Sequence, residues 1–175
     1  MKNIYFAGPD VFSPKYNELV ESIRDSCYKH NFNPLFPTDL VIKDEKDNVS
    51  IPTQIFRSNK AMIERSDYVI ANMNEFRGCE PDSGTVWEVA YAYARNIPAV
   101  GYMSDTRCMQ DKVAEHFCIQ DCDSMSVMPD KMRIENFDFP INLMLHESMV
   151  NILRGDYLDA LNYVFALDKK HIYGQ

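Results

Sequence analysis

Short apolar runs that stop at turn residues alternate along this chain with longer stretches whose apolar positions recur at helical spacing. Residues 4–7 are apolar and halt at Gly8-Pro9, the punctuation of a buried strand giving way to a loop. Ser13-Pro14 offers an N-cap and a proline for the first helical position. Tyr16, Leu19, Val20, Ile23 and Cys27 then share one helical face opposite Glu21, Arg24, Asp25 and Lys29. Residues 33–36 predict a brief second strand. A polar loop bounded by Pro37 and Pro52 follows, and its charged run Lys43-Asp44-Glu45-Lys46-Asp47 reads as solvated or as a lid over strand ends. Ile55, Phe56, Asn59, Met62, Ile63 and Ser66 make the buried stripe of the next helix, with the amide of Asn59 set among apolar neighbours. A third strand is expected at 68–71, a loop at 72–82, then a helix carrying Glu88 that ends near Asn96, and a fourth strand at 99–102.

Strand and helix in strict alternation, with connections too long for hairpins, predict a parallel sheet covered on both faces: an open, doubly wound α/β domain. Residues 103–140 show few periodic apolar positions and are expected to hold a short helix and a last strand; 141–150 and 157–167 read as helices. With 175 residues, 46% of them hydrophobic, the chain is long enough for one substantial core and short for two, so residues 1–175 are taken as one domain.

Charge narrows the function. A formal net charge of -8 argues against holding polymeric nucleic acid by its phosphates, which needs a cationic face, and leaves small neutral ligands as the easier partners. Cys27, Cys79, Cys108, Cys118 and Cys122 are odd in number and lack metal-ligand spacing, so they read as reduced thiols of a cytoplasmic protein with no metal site. The first residues do not resemble a signal sequence, and no apolar stretch approaches the roughly 20 residues of a membrane span.

Glu88 is the charged side chain that stands out. It sits alone among Val86, Trp87, Val89, Ala90, Tyr91, Ala92, Tyr93 and Ala94, a helix apolar enough to be packed on most of its circumference. An ionised carboxylate there is costly unless compensated, which suggests chemistry; the plainer reading is that Glu88 reaches solvent through a gap between neighbours. In open α/β sheets ligands bind at the carboxyl ends of the strands, where this chain carries Gly8-Pro9-Asp10, Asn72-Met73-Asn74 and the loop into Asp82. No GxGxxG or Walker loop is present, so neither a dinucleotide nor a nucleoside triphosphate site is supported. Gly84 suits close backbone approach to a ligand, although Asp82-Ser83-Gly84-Thr85 reads equally as a helix cap. If the helix starts between Asp82 and Glu88, both carboxylates border one pocket, the usual equipment for breaking a glycosidic bond. His30, His116, His146 and His171 are scattered and read as surface or packing residues.

These residues resemble a known family. Ile4-Tyr5-Phe6-Ala7-Gly8-Pro9-Asp10-Val11-Phe12, Asp67-Tyr68-Val69-Ile70-Ala71-Asn72, Phe76-Arg77-Gly78-Cys79-Glu80-Pro81-Asp82-Ser83-Gly84-Thr85 leading to Glu88, and Pro140-Ile141-Asn142-Leu143-Met144-Leu145 look like the nucleoside 2-deoxyribosyltransferases, in order along nearly the whole chain. The resemblance implies a flavodoxin-like sheet and exchange of the base of a 2'-deoxynucleoside for a free purine or pyrimidine, without a cofactor. It implies Glu88 as the nucleophile at C1', Tyr5 as the residue that orients it, and Asp82 on sugar hydroxyls or the leaving base. Gly8, Phe12, Asn59, Ser83 and Gly84 would bind substrate, Phe12 by stacking on the base. Asn142 and Met144 would reach the sugar from a neighbouring subunit, implying a homodimer or higher homo-oligomer with shared sites; Asn142 after Pro140 also reads as a helix cap. Two departures stand out. Asn59 replaces an Asp that some members carry, and an amide both donates and accepts where an ionised carboxylate only accepts. The chain ends Tyr173-Gly174-Gln175 rather than on a tyrosine, so the site role of a terminal carboxylate is not carried over.

Three other readings compete. A hydrolase would cleave a deoxynucleoside or its 5'-monophosphate through the same ester, but Asp82 would repel a phosphate and no serine- or arginine-rich nest is evident. A non-catalytic nucleotide-binding module gains nothing from a buried carboxylate aimed at a sugar carbon. A flavin electron carrier would need a Ser/Thr/Gly-rich phosphate loop after the first strand, which is not there.

Overall fold

The computed structural model describes residues 1–40, 49–118 and 132–173; the charged run at 43–47, Cys122 and Gly174-Gln175 lie outside the described residues. Five strands, β1 (Lys2–Ala7), β2 (Phe32–Leu35), β3 (Tyr68–Asn72), β4 (Ala99–Met103) and β5 (Asn151–Arg154), form one sheet in the order β2-β1-β3-β4-β5. All four neighbouring pairs are parallel, with Tyr5 opposite Leu35 on one side and Val69 on the other. Parallel pairing needs crossovers, supplied by helices α1 (Tyr16–Lys29), α2 (Ile51–Glu64), α3 (Ser83–Ala94), α4 (Met109–His116), α5 (Leu143–Glu147) and α6 (Tyr157–Tyr173). This is the flavodoxin-like doubly wound arrangement, whose strand order reverses between β1 and β3 and opens a crevice there.

Side-chain alternation decides which helices cover which face. Tyr5 and Ala7 of β1 join Val69 and Ala71 of β3 against Met62 and Ile63 of α2 and Val89 and Ala92 of α3. Ile4 and Phe6 point the other way, with Ile70 and Val100, against Ile23 and Cys27 of α1 and Leu161 and Val164 of α6. The central strands β3 and β4 are buried along their whole length, which is why they read as unbroken apolar runs. Tyr5 therefore lies on the α3 side of the sheet.

Several sequence expectations need correcting. Among the described residues the last strand is β5, after a helix shorter than the 141–150 reading, rather than in the described part of 103–140, while the short helix expected in that segment is α4. β5 is a half-buried edge strand, so it lacks the continuous apolar run that marks β3 and β4. α1 begins at Tyr16, because Ser13 Oγ accepts the Lys15 N–H (3.2 Å) in a separate turn. α2 begins at Ile51 and leaves Ile55 and Phe56 exposed rather than in the core. α3 is not packed around most of its circumference either: Trp87 is 40% and Tyr93 62% exposed.

Candidate active site

The register of β1 and the start of α3 bring four sequence-distant groups together. Tyr5 has no exposed surface, and its Oη donates to Glu88 Oε1 at 2.5 Å. The Asn59 amide, on α2, faces the Glu88 carboxylate and favours its ionised form. The amide oxygen of Asn59 is buried and has no hydrogen-bond partner among the described residues, the position of an acceptor awaiting a donor. Burial pushes the Glu88 carboxyl up to about 7 and the negative charge of Asp82 adds to the push, while the Tyr5 O–H and the Asn59 amide pull it down. Burial, then the charge of Glu88, raises Tyr5 well above the usual phenol range, so it stays a donor.

Asp82 is the N-cap of α3. Its Oδ2 accepts from the Thr85 N–H at 3.0 Å and from Thr85 Oγ1 at 3.2 Å. The cap reading of that motif thus describes the geometry, and the same carboxylate is close enough to act on Glu88. Ser83 and Gly84 are exposed at the helix start, and a Cβ on Gly84 would come within 3.0 Å of Asp82 Oδ2.

The floor of the crevice is a relay of short polar side chains. Asn72 Nδ2 donates to both Asp10 oxygens (3.0 and 2.9 Å), and Asn72 Oδ1 accepts from the backbone and side-chain N–H groups of Asn74 (3.1 and 2.7 Å). Asn74 Oδ1 in turn accepts from Ser104 N–H and Oγ–H at 2.9 and 2.8 Å. Gly8 is required here: a Cβ would stand 2.6 Å from Asp10 Oδ2 and 2.8 Å from Asn72 Cβ. Phe12, 62% exposed, stacks on Phe76 at 5.6 Å, and the guanidinium of Arg77 lies over both rings at 5.4 and 4.7 Å. The stack spans the loops after β1 and β3.

Asn142 and Met144 are not brought to Glu88 in the same chain. Asn142 caps α5, accepting from Met144 N–H (3.0 Å) and donating from Nδ2 to Glu135 Oε2 (2.7 Å). It faces a cleft of about 400 Å³ lined by Val86, Ala90 and Tyr93, the side of α3 turned away from Glu88, and Met144 beside it is 74% exposed. Sequence reasoning missed Glu135 and the stacking of Arg77; the relay had a visible trace in Asp10 and the closely spaced Asn72 and Asn74. Among the described residues no group of His, Cys, Asp and Glu is arranged to hold a metal ion, and no helix is long and apolar enough to cross a membrane.

A flavodoxin-like sheet with a carboxylate clamped by a buried tyrosine at its switch point defines a class of small-molecule site. The chain belongs to the nucleoside 2-deoxyribosyltransferase family, whose sequence model matches residues 4–144. A 2-deoxyribosyltransferase of Leishmania mexicana is 31% identical and superposes with a TM-score of 0.75 over 95% of this chain and 98% of its own. A 2-deoxyribosyltransferase of Bacillus psychrosaccharolyticus shares the fold at 18% identity, with a TM-score of 0.59 over 94% of each chain. An uncharacterized protein of Schizosaccharomyces pombe is 25% identical over 116 residues, a match that takes in 65% of this chain and 55% of the yeast protein.

Proposed function

We propose that this protein is a nucleoside 2-deoxyribosyltransferase that exchanges the base of a 2'-deoxynucleoside for a free purine or pyrimidine, with residues 1–175 as one catalytic domain. The observation that carries the reading is Glu88, a carboxylate set into an apolar helix, held by Tyr5 at 2.5 Å, faced by the Asn59 amide and pushed up to about 7. Near neutral pH much of it is ionised and, being partly stripped of water, nucleophilic. Its oxygen forms a bond to C1' as the C1'–N bond breaks, and the departing base takes the electron pair and a proton. The incoming base then bonds to C1' through a ring nitrogen, expels Glu88 as a carboxylate and loses its own proton. Two inversions give net retention.

Asp82 and the open start of α3 at Ser83 and Gly84 receive sugar hydroxyls, and Gly8 lets the sugar approach the backbone beside the Asp10–Asn72 clamp. Phe12, already stacked on Phe76, offers its exposed face to the base. The orphaned Asn59 oxygen accepts an N–H or O–H of the ligand. Asn142 and Met144 complete the site of a second copy in a homodimer or larger homo-oligomer; the exposure of Tyr93 and Met144 in the α3/α5 cleft supports a partner there. The chemistry needs no cofactor.

The test is chromatography of 2'-deoxyinosine incubated with free adenine or cytosine, beside a reaction without acceptor. A new deoxynucleoside that disappears with Glu88→Ala establishes transfer. Equal base release with and without acceptor makes the protein a hydrolase, and no reaction with any donor leaves a binding module.

A further inference from the structure

The carboxyl end of β4 opens into a second cavity, of about 550 Å³, whose wall includes Lys112 of α4. Lys112 is 3% exposed, and a buried ammonium is costly unless anions compensate it. On the rim, Arg107 pairs with Asp105 at 2.7 Å and with Glu115 at 2.6 Å. Among the described residues the acidic oxygen paired with Lys112 is Glu75 Oε1, at 3.7 Å.

Glu75 opens a small hairpin. It bridges Pro81 in antiparallel fashion, Phe76 N–H donates to Glu80 O at 3.0 Å, and Pro81 is followed by Asp82, the cap of α3 beside Glu88. On its other side α4 is tied to the segment that leads to α5, because Met109 N–H donates to Phe139 O at 2.7 Å. In that segment Glu135 holds both the Asn142 side chain (2.7 Å) and the Leu143 N–H (2.5 Å). Glu80, in the hairpin, lines the cleft that Asn142 faces. Part-burial raises its carboxyl, Lys112 draws it down, and the charges of Glu135 and Glu75 push it up again. The charges of Glu75 and Glu135, one from each segment, thus act on Glu80, and Lys112, 3.7 Å from Glu75, is the cation that offsets their repulsion.

We propose that Lys112 is a positioning residue that holds the 75–82 hairpin and the 135–143 segment in fixed relation to each other. It acts on the reaction only through Asp82 on the first segment and Asn142 on the second. The functional half of this inference rests on the transferase reading above; the structural half does not.

The test is Lys112→Met, which keeps the volume and drops the charge, with Lys112→Arg as the charge-preserving control. Amide hydrogen exchange is read at Phe76 and Leu143, one donor in each segment, and at Met73, whose N–H bonds Tyr102 O within the sheet region. The Met variant should exchange faster at both Phe76 and Leu143 with Met73 unchanged, and the Arg variant should restore both. In the transfer assay KM for 2'-deoxyinosine should rise about tenfold while kcat moves by less than about threefold. If either segment keeps its protection, if Met73 loosens equally, or if Arg does not rescue, the proposal is wrong. Should Lys112→Met not fold, Lys112→Gln keeps a polar end in the cavity and takes its place; if that also unfolds, Lys112 is a general stability residue and the proposal falls. Absence of transfer in the wild-type protein would overturn the activity reading and leave the exchange result to stand by itself.

Discussion

The phenolic oxygen of Tyr5 sits 2.5 Å from Oε1 of Glu88, joining the first strand to a helix 83 residues later at the point where strand order reverses. A donor at that distance favours the ionised carboxylate and keeps one of its oxygens turned toward the sheet. Tyr5→Phe removes the donor while preserving the buried ring. Glu88 should then protonate at higher pH, and kcat/KM for base exchange near neutral pH should fall by about tenfold or more. A pH–rate profile checks both, because the acidic limb must move up as well as down in height. An unchanged profile would mean that the contact does not act on the reacting group.

A carboxyl held at about 7 in the folded chain, against a usual value of 4.5, is also a statement about stability. The folded state binds the Glu88 proton more tightly than the unfolded state does. The penalty is therefore absent below pH 4.5, grows as pH rises, and is complete above pH 7. Glu88→Gln cannot ionise, so it should be inactive yet more stable than the parent at pH 8, by on the order of 2 kcal/mol. Denaturant melts at pH 8 and at pH 4 check this: the gain should vanish at the lower pH.

Asp82 and Asn59 act on Glu88 with opposite signs. Asp82→Ser retains a capping oxygen for the Thr85 N–H while removing a negative charge, so the acidic limb should move to lower pH. Asn59→Asp replaces a donor with a second acid beside Glu88, so the limb should move to higher pH by about one unit or more. The pair of profiles separates an electrostatic role from simple damage, which would lower both curves without shifting either.

Gly8 makes a steric prediction. In Gly8→Ala the new methyl would meet Asp10 Oδ2 at 2.6 Å and Asn72 Cβ at 2.8 Å, and the Asp10–Asn72 clamp has to open to admit it. Overpacking of this kind costs about 1–3 kcal/mol, so a lowered melting temperature with a larger loss of transfer is expected. A variant that melts and turns over like the parent would show that the clamp is dispensable.

How far the chain announced all this varies with the physics of each piece. The solitary charge of Glu88 in an apolar run and the Gly-Pro stop after β1 are local signals, and both lead to the crevice. The central strands β3 and β4 were equally legible because burial on both faces keeps them apolar up to Asn72, at the carboxyl end of β3. β5 was not, since an edge strand of three half-buried residues and one exposed residue has no such run. The apolar composition of α3 suggested burial all round, yet Trp87 and Tyr93 are exposed: composition cannot tell a core from a surface that a partner would cover. The approach of Lys112 to Glu75 depends on folding alone and leaves no spacing to read.

The exposed side of α3 leads to a prediction about assembly. Asn142 is turned away from Glu88 of its own chain, across the thickness of α3, while Met144 beside it is 74% exposed. If these two serve a neighbouring copy, Glu88→Ala and Asn142→Ala each inactivate a different half of every site. Chains carrying only one of the changes should both be nearly inactive alone. Mixed under conditions that allow subunit exchange, they should regain up to about a quarter of parental activity in a two-fold dimer, since half of the chains pair as heterodimers and each of those holds one intact site. Size-exclusion chromatography of the parent supplies the second arm. A protein that elutes as a monomer at assay concentration and shows no recovery on mixing would place Asn142 in the structural role its cap already describes, with the site complete within one chain.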